Sequence, residues 1–362
     1  MGIPLRVGII GVGNISTQYL THIPTLPSLK LIALADLDMA RAAEVAAKAG
    51  VESRSVDELL ASKDIDVILN LTTPGAHAVI AMKALTAGKH VFGEKPLALT
   101  VEEAKPMMEL AKSSGLRIGS APDTVLGTGI QTSRDLLDSG KIGKPLAASA
   151  FWSAPGHELW HPAPQFYYLP GAGPLFDMGP YYLTALVTLL GPVVSVIGSS
   201  TRSDRKRSVG TGDLAGTELR VEVETHISAL LEHASGVTST IMMSFEVWAA
   251  RLPRIEVYGT EGTISVPDPN MFSDEVQIYT SENREWNVAP ASAGYMEAGR
   301  GFGLADMAIA IDKNEPHRAS GDLAFHVLEI MESILKSAKG DQRITMKSTV
   351  AQPQKVPFSS LT

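Results

Sequence analysis

Between residues 5 and 122, apolar runs of strand length alternate with helical segments, and the first run ends in a glycine turn. Leu5–Ile10 is continuously apolar, as a strand buried on both faces requires, and it runs into Gly11-Val12-Gly13-Asn14-Ile15-Ser16. A helix is expected from about Ile15. Leu29–Ala35 is the next apolar run and stops at Asp36, and the alanine-rich Met39–Ala49 follows as a helix. Asp66–Leu71 reads as a third strand, Ala76–Ala87 as a helix ended by Gly88, and His90–Gly93 as a strand leading into Glu94-Lys95-Pro96. Thr100 is placed to cap a helix beginning Val101-Glu102-Glu103, and Arg117–Gly119 is a further short strand. Repeated alternation of this kind specifies a parallel sheet with right-handed crossovers. The expected fold class is therefore α/β, with a doubly wound parallel sheet in the N-terminal domain.

After Pro122 the pattern changes. A helix near Gly129–Ser139 precedes a strand at Leu146–Phe151, then an irregular stretch, Trp152 to Pro174, rich in aromatic residues and proline. Helix Asp177–Leu190 follows. Strands then dominate: Val193–Ser199, Leu219–His233, Val237–Val247, Arg254–Val266 and Val276–Tyr279, with Ser235-Gly236 as a hairpin signal. Helices near Leu304–Ile311 and Asp322–Ala338 close the region. This predicts a C-terminal α+β domain with a large, mostly antiparallel open sheet. The expected boundaries are 1–122 for the nucleotide-binding domain, 123–350 for the α+β domain and 351–362 for a tail. At 362 residues, two domains can each bury a core.

Composition excludes several functions. The chain has no cysteine, so thiolate catalysis, disulfides and cysteine-ligated metals are out. Its nine histidines show no metal-ligand spacing, and no metal is expected. A net charge of −8 without a basic patch argues against nucleic acid. The cationic cluster from Arg202 to Arg207 contains Ser203 and Asp204 and reads as a solvated loop. The longest apolar run, Tyr181 to Gly198, is broken by Gly191-Pro192 and is too short on either side to span a membrane. Met1-Gly2-Ile3-Pro4-Leu5-Arg6 lacks the apolar stretch of a signal peptide, and Arg6 stands where a myristoylation signal needs Ser or Thr. A cytoplasmic protein is the expectation.

The glycine turn has the chemistry of a dinucleotide site. Gly11 allows the sharp turn, Gly13 lets backbone approach phosphate, and the small Ser16 lets helix pack on strand. Amides at Asn14 and Ile15, at the start of the helix, face a pyrophosphate favourably. Asp36 ends the second strand at the spacing of the dinucleotide fingerprint. Its carboxylate accepts from ribose hydroxyls and repels a 2′-phosphate, which favours NAD over NADP. Arg41, one helical turn on, either reaches a phosphate or faces solvent. Thr72, Thr73 and Pro74 end the third strand at the same crevice, with His77 at the following helix start. About 80 residues after the glycine turn, Glu94 and Lys95 bring a cation to the same edge, where an ammonium can hold a substrate hydroxyl beside a nicotinamide ring.

These motifs resemble the Gfo/Idh/MocA family, the glucose–fructose oxidoreductase and inositol dehydrogenase group. The likeness runs through Gly11-x-Gly13, Asp36, Thr72-Thr73-Pro74 with His77, Glu94-Lys95-Pro96, and a second signature from Gly171 to Tyr181. It implies NAD(P)-dependent oxidation of a sugar, glycoside or cyclitol hydroxyl, or reduction of the ketone. It also implies an N-terminal Rossmann domain joined to a second domain with a large open sheet that builds homodimers or homotetramers. In the family a lysine and an Asp-x-x-x-His pair touch the reacting carbinol; Lys95 and Asp177 match, but Tyr181 stands in the histidine's place. Tyr181 shares a helix face with Asp177 and is expected to take the alcohol proton, because a neighbouring ammonium favours the phenolate a base needs. The competing assignments give that proton to Lys95 itself or to His161, and leave Tyr181 as a packed helix residue. Asp123 departs from the family's usual polar residue and is expected either to accept from sugar hydroxyls or to cap the following helix. Trp160, His161 and the neighbouring aromatic rings suit the C–H face of a sugar, or a hydrophobic plug beneath the loop. Two other activities share this fold: net glycoside hydrolysis by transient oxidation and elimination with a retained NAD, and a non-catalytic nucleotide-responsive regulator.

Overall fold

The computed structural model describes residues 3–361; Met1, Gly2 and Thr362, at the outer ends of the expected first domain and tail, lie outside the described residues. The chain divides into two compact units. One comprises Met1–Gln131, Ser292–Phe325 and Pro353–Thr362, and the other Thr132–Ala291 and His326–Gln352.

The first unit is a Rossmann sheet. Its strands are β1 (Leu5–Ile10), β2 (Leu29–Ala35), β3 (Glu52–Ser53), β4 (Val67–Asn70), β5 (His90–Gly93) and β6 (Ile118–Ser120), all parallel, in the order β3-β2-β1-β4-β5-β6. The crossovers carry α1 (Ser16–His22), α2 (Met39–Ala49), α3 (Val56–Ala61), α4 (His77–Thr86) and α5 (Val101–Ser114). Caps fix several of these helices. Asp38 and Thr100 accept from the third helical amide of α2 and α5, and Ser55 and Glu58 form a reciprocal capping box on α3. Val7, Ile9, Val67, Leu69 and Phe92 are fully buried, which is why these strands read as unbroken apolar runs.

The second unit is built on a nine-stranded sheet. Helix α6 (Thr128–Asp138) precedes β7 (Pro145–Ser153), and α7 (Gly173–Leu190) precedes β8 (Val193–Thr201). The remaining strands are β9 (His226–His233), β10 (Thr238–Ser244), β11 (Ile255–Gly259), β12 (Gly262–Val266), β13 (Val276–Thr280), β14 (Asn287–Ala289) and β15 (Ile344–Thr345). Their order is β14-β13-β12-β11-β7-β10-β9-β8-β15, antiparallel except for the pair β7 and β10. Helices α8 (Phe302–Asp312) and α9 (Gly321–Gly340) follow β14 in the chain. The Ser235-Gly236 hairpin joins β9 to β10 with Gly236 at φ +84°. The run Arg254–Val266, expected as one strand, is a hairpin that turns at Thr260-Glu261, where Glu261 N–H bonds to the Ile142 carbonyl and Ser281 N–H to that of Glu261.

Expected boundaries at 122 and 350 give way to a first unit assembled from three stretches of chain. Asp123 Oδ2 accepts from the Gly301 and Gly303 amides at the N-terminus of α8, and Gly119 bridges Ser320. The expected tail is tied down as well: Gly294 N–H donates to Val356, and Val356 N–H donates to the buried Gln131 side chain. Returns of this kind carry no local sequence signal.

One buried histidine in the second unit makes stability pH-dependent. His326 is fully buried; Val193 N–H donates to its Nε2 at 3.1 Å, and the ring's Nδ1–H donates to Ser348 Oγ at 2.8 Å. Protonation at Nε2 breaks the first bond, and burial holds the pKa down to about 4 against an ordinary 6.5. The folded value lies below the unfolded one, so this contribution is complete above pH 6.5 and fades as pH falls toward 4. Its size is about 3 kcal/mol. Urea midpoints from pH 7 to pH 4 should fall steeply for the wild type. His326→Asn, which keeps the donor to Ser348 but cannot titrate, should be less stable at pH 7 and show a flatter profile.

Candidate active site

Strand register lines up the carboxyl edge of the first sheet. Ile10 pairs with Ala35 and with Asn70, and Asn70 pairs with Gly93, so these four residues form one row across the sheet. The residues that follow, Gly11, Asp36, Leu71 and Glu94, are the next row out, at the carboxyl ends of the strands. Dinucleotides bind at this edge in doubly wound sheets.

The local geometry fits a pyrophosphate. Gly11 has φ +99°, and a Cβ there would lie 2.6 Å from the Leu71 carbonyl oxygen, so no other residue fits. At Gly13 the opposite holds: an added Cβ meets nothing within 4 Å, so the backbone borders open space. Val12 N–H is taken by Asp36 and Ser16 N–H by the Gly13 carbonyl. Ile15, at the α1 N-terminus, gives no side-chain cap, and Asn14 beside it is exposed.

Asp36 is held in place before any ligand arrives. Its Oδ2 accepts from Val12 N–H at 2.8 Å, and its Oδ1 accepts from Asp38 N–H at 2.9 Å and from the Arg41 guanidinium at 3.0 Å. Desolvation raises its pKa, but the two amides and the guanidinium outweigh it and keep the carboxyl below its usual range. Arg41, left between phosphate and solvent by the sequence, is half exposed and paired with Asp36. Thr72 donates from its hydroxyl to Asn70 Oδ1 at 2.7 Å, whereas Thr73 is exposed and Pro74 half-buried at the same edge.

Glu94 and His77 serve as braces. Glu94 is buried; its Oε1 accepts from the Tyr19 phenol at 2.8 Å and its Oε2 from Lys95 N–H at 3.1 Å. Tyr19 is fully buried, and desolvation followed by the Glu94 charge pushes its pKa up, so it stays a donor. His77, expected among the cofactor contacts, is also buried. Its Nδ1 lies 2.7 Å from the Pro96 carbonyl and its Nε2 3.0 Å from that of Thr72, so the ring ties the β4 loop to the Glu94-Lys95-Pro96 loop instead. Lys95 itself is half-buried on this edge.

Asp123 corrects a second expectation. It is fully buried, its Oδ1 bonded to Arg300 at 3.3 Å and its Oδ2 to the amides of Gly301 and Gly303 at 3.0 and 3.1 Å. Capping α8 and pairing with a buried arginine replaces the sugar-acceptor role. The sequence raised a capping role for Asp123 but tied it to the next helix, not to one about 180 residues later.

In the second unit, Asp177 and Tyr181 lie one turn apart on α7, both largely buried. Asp177 Oδ2 meets His157 Nε2 at 2.7 Å, and His157 Nδ1 accepts from the Trp160 indole at 3.2 Å. His161, weighed in the sequence as a proton carrier, accepts instead from Ala163 N–H at 3.0 Å. Desolvation and the neighbouring His157 lower its pKa. Trp160 is 58% exposed, and Phe166 is also exposed.

The segment that carries His157 is anchored by charge. Arg207, read from sequence as part of a solvated loop, is almost fully buried. It bonds Glu158 at 2.6 Å, Glu246 at 2.7 Å and the carbonyls of Pro155 and Phe245. Tyr168 donates to the same Glu158 carboxylate, and desolvation raises its pKa. Sequence reading missed Tyr19, His157, Arg207 and Arg300 as site-shaping residues. Only the density of aromatic rings around His157 pointed at its segment.

Comparison with known proteins agrees with this architecture. Residues 5–121 match the profile described as "Oxidoreductase family, NAD-binding Rossmann fold", and residues 130–265 match the "GFO/IDH/MocA C-terminal domain". A dTDP-3,4-didehydro-2,6-dideoxy-alpha-D-glucose 3-reductase from Streptomyces violaceoruber is 32% identical over 239 residues, covering 64% of this chain and 68% of the relative. The chain belongs to the Gfo/Idh/MocA family. A trans-1,2-dihydrobenzene-1,2-diol dehydrogenase from Bos taurus is 26% identical over 305 residues, covering 83% and 85% of the two chains. The fold is also that of an NAD binding oxidoreductase from Klebsiella pneumoniae, with a TM-score of 0.80 at 24% identity over 94% of this chain and 98% of that one. As a member of this family the protein is a nicotinamide-dependent oxidoreductase.

The two glycines of the turn after β1 should separate stability from binding. Gly11→Ala forces a left-handed backbone onto a clashing side chain and should lose about 2 kcal/mol or more in urea denaturation. Gly13→Ala should stay within about 0.5 kcal/mol of the wild type. It should nevertheless weaken NADH binding about tenfold or more, read by fluorescence titration of the reduced cofactor.

Proposed function

We propose that this Gfo/Idh/MocA oxidoreductase uses NAD to oxidise a secondary hydroxyl of a sugar, glycoside or cyclitol, or to reduce the corresponding ketone. The observation that carries this reading is the row of Gly11, Asp36 and Glu94 at one sheet edge, with Lys95 next in the chain. The names of the two curated relatives, a reductase of a deoxysugar ketone and a dehydrogenase of a cyclic diol, support the substrate class. Among the described residues no group of His, Asp and Glu is arranged to hold a metal ion.

Bound NAD supplies the hydride acceptor. Gly11, Gly13, Asn14 and Ile15 hold its pyrophosphate through backbone, and Asp36 accepts from the adenosine ribose. Thr72, Thr73 and Pro74 border the same edge. Lys95 donates to the substrate oxygen and stabilises the negative charge that develops as its proton leaves. Tyr181 takes that proton, and Asp177, one helical turn before it, orients the hydroxyl. Trp160 and His161 offer ring faces and edges to the sugar. Positioning supplies most of the rate in chemistry of this kind.

Asp36 supports NAD over NADP, because its carboxylate meets a 2′-phosphate with like charge. Asp36→Ser removes that charge and leaves Arg41 without its partner. KM for NAD should rise about tenfold or more, and the preference for NADP should rise by a similar factor, since hydrogen bonds to a charged group contribute about 1.5–3 kcal/mol.

Purified protein with NAD or NADP should develop reduced-nicotinamide absorbance with at least one compound in a panel of sugars, glycosides and inositols. Aglycone release without net reduction would instead indicate the hydrolytic chemistry. On the substrate so found, Tyr181→Phe should lower kcat about 100-fold or more with NADH affinity unchanged. Near-normal turnover removes Tyr181 from the proton path.

A further inference from the structure

We propose that His157 is the positioning residue of Asp177: an imidazole from the aromatic loop that holds the helix carboxylate in place of the histidine missing at position 181. The inference rests on the oxidoreductase reading only for its kinetic consequence; the interaction itself is independent of that reading.

Three observations on the second unit carry it. First, the Asp177 carboxylate oxygen and His157 Nε2 are 2.7 Å apart, and both side chains are almost entirely buried. Second, the proton on that imidazole is assigned by a neighbour. The Trp160 indole N–H can only donate, and it points at His157 Nδ1, so Nδ1 must carry the lone pair and Nε2 the hydrogen. An imidazole in that tautomer is neutral and donates to the carboxylate. Third, the loop is built to keep the ring there. Gly156 has φ +119°, and a Cβ at that position would collide with the Glu158 carboxylate and the Arg207 guanidinium. Arg205 and Arg207 both donate to the Pro155 carbonyl, and Glu158 is held by Arg207 and Tyr168. The imidazole is also packed by rings: Tyr167 at 4.4 Å, Phe245 at 4.8 Å, Trp160 at 5.1 Å and Trp152 at 5.8 Å between centroids.

A histidine so clamped fixes the rotamer of Asp177. Helix α7 presents Asp177 and Tyr181 on one face, and the loop histidine restrains the first of the two. In the family motif, aspartate and histidine stand one turn apart on the same helix. Here the carboxylate meets an imidazole delivered by a separate segment, which leaves the i+4 position to a phenol.

Two measurements test this on the full-length protein. In a spectrum of 15N-histidine-labelled protein at neutral pH, the His157 ring, identified by its loss in His157→Gln, should show the Nε2–H tautomer. In Trp160→Phe the same ring should populate the Nδ1–H form. A wild-type ring in the Nδ1–H form overturns the proposal whether or not any substrate is found. The second measurement is kinetic, on the substrate turned over fastest in the panel. His157→Phe should lower kcat about 10- to 100-fold, the loss of one hydrogen bond to a charged group. NADH affinity should stay within about twofold, because the proposal gives the ring no cofactor contact. His157→Gln, whose amide reproduces the Nε2–H donor, should recover most of that loss. In an Asp177→Asn background, His157→Phe should cost less than about twofold, since coupled residues are not additive. An equal loss in both backgrounds, or no rescue by glutamine, overturns the positioning role. An intact Nε2–H signal in a protein that reduces neither cofactor counts against the oxidoreductase reading and leaves the pair standing.

Discussion

Parallel pairing of β1, β2, β4 and β5 is the constraint from which the candidate site follows. Parallel strands cannot be joined by tight turns, so each must be followed by a crossover, and every carboxyl end falls on the same edge. Residues far apart in sequence, Gly11, Asp36, Leu71 and Glu94, therefore stand in one row. Backbone geometry then fixes what each member does. The Leu71 carbonyl leaves no room for a side chain at Gly11, and the Val12 amide ties down Asp36. The proposed cofactor chemistry is a consequence of strand direction before it is a property of any one side chain.

Buried polar groups carry the rest of the precision. Tyr19 fixes Glu94, and His77 links two loop carbonyls beside it. In the second unit, the Arg207 guanidinium sits almost without solvent between Glu158 and Glu246. A buried charge without its partner costs several kcal/mol, so such a cluster tolerates few alternative arrangements. Its specificity falls on the loop next to Glu158, where His157 faces Asp177. Buried charge pairing is thus concentrated beside the residues to which the proposed function assigns chemistry.

Where the sequence reading departed from the structure, the departures share a cause. Arg207 looked like one member of a solvated cationic run because its acidic partners lie 49 and 39 residues away. Asp123 looked like a substrate acceptor or the cap of the adjacent helix because α8, whose amides it accepts from, begins about 180 residues later. The segment 351–362 looked like a tail because its partners, Gln131 and Gly294, are distant in the chain. The single run Arg254–Val266 concealed a hairpin, since Thr260 and Glu261 give none of the usual turn chemistry apart from the neighbouring glycines.

Sequence alone determined the alternation of strand and helix, the glycine turn with its acidic and cationic companions, the antiparallel character of the second sheet, and the family. Those properties rest on local rules: burial periodicity, turn sterics and spacing along a repeating unit. Tertiary structure decided which polar groups are spent on bracing and which remain on an edge. It also gave Asp177 a histidine that the helix itself does not supply. Such pairings depend on loop closure across many residues, and no pattern within a short window encodes them.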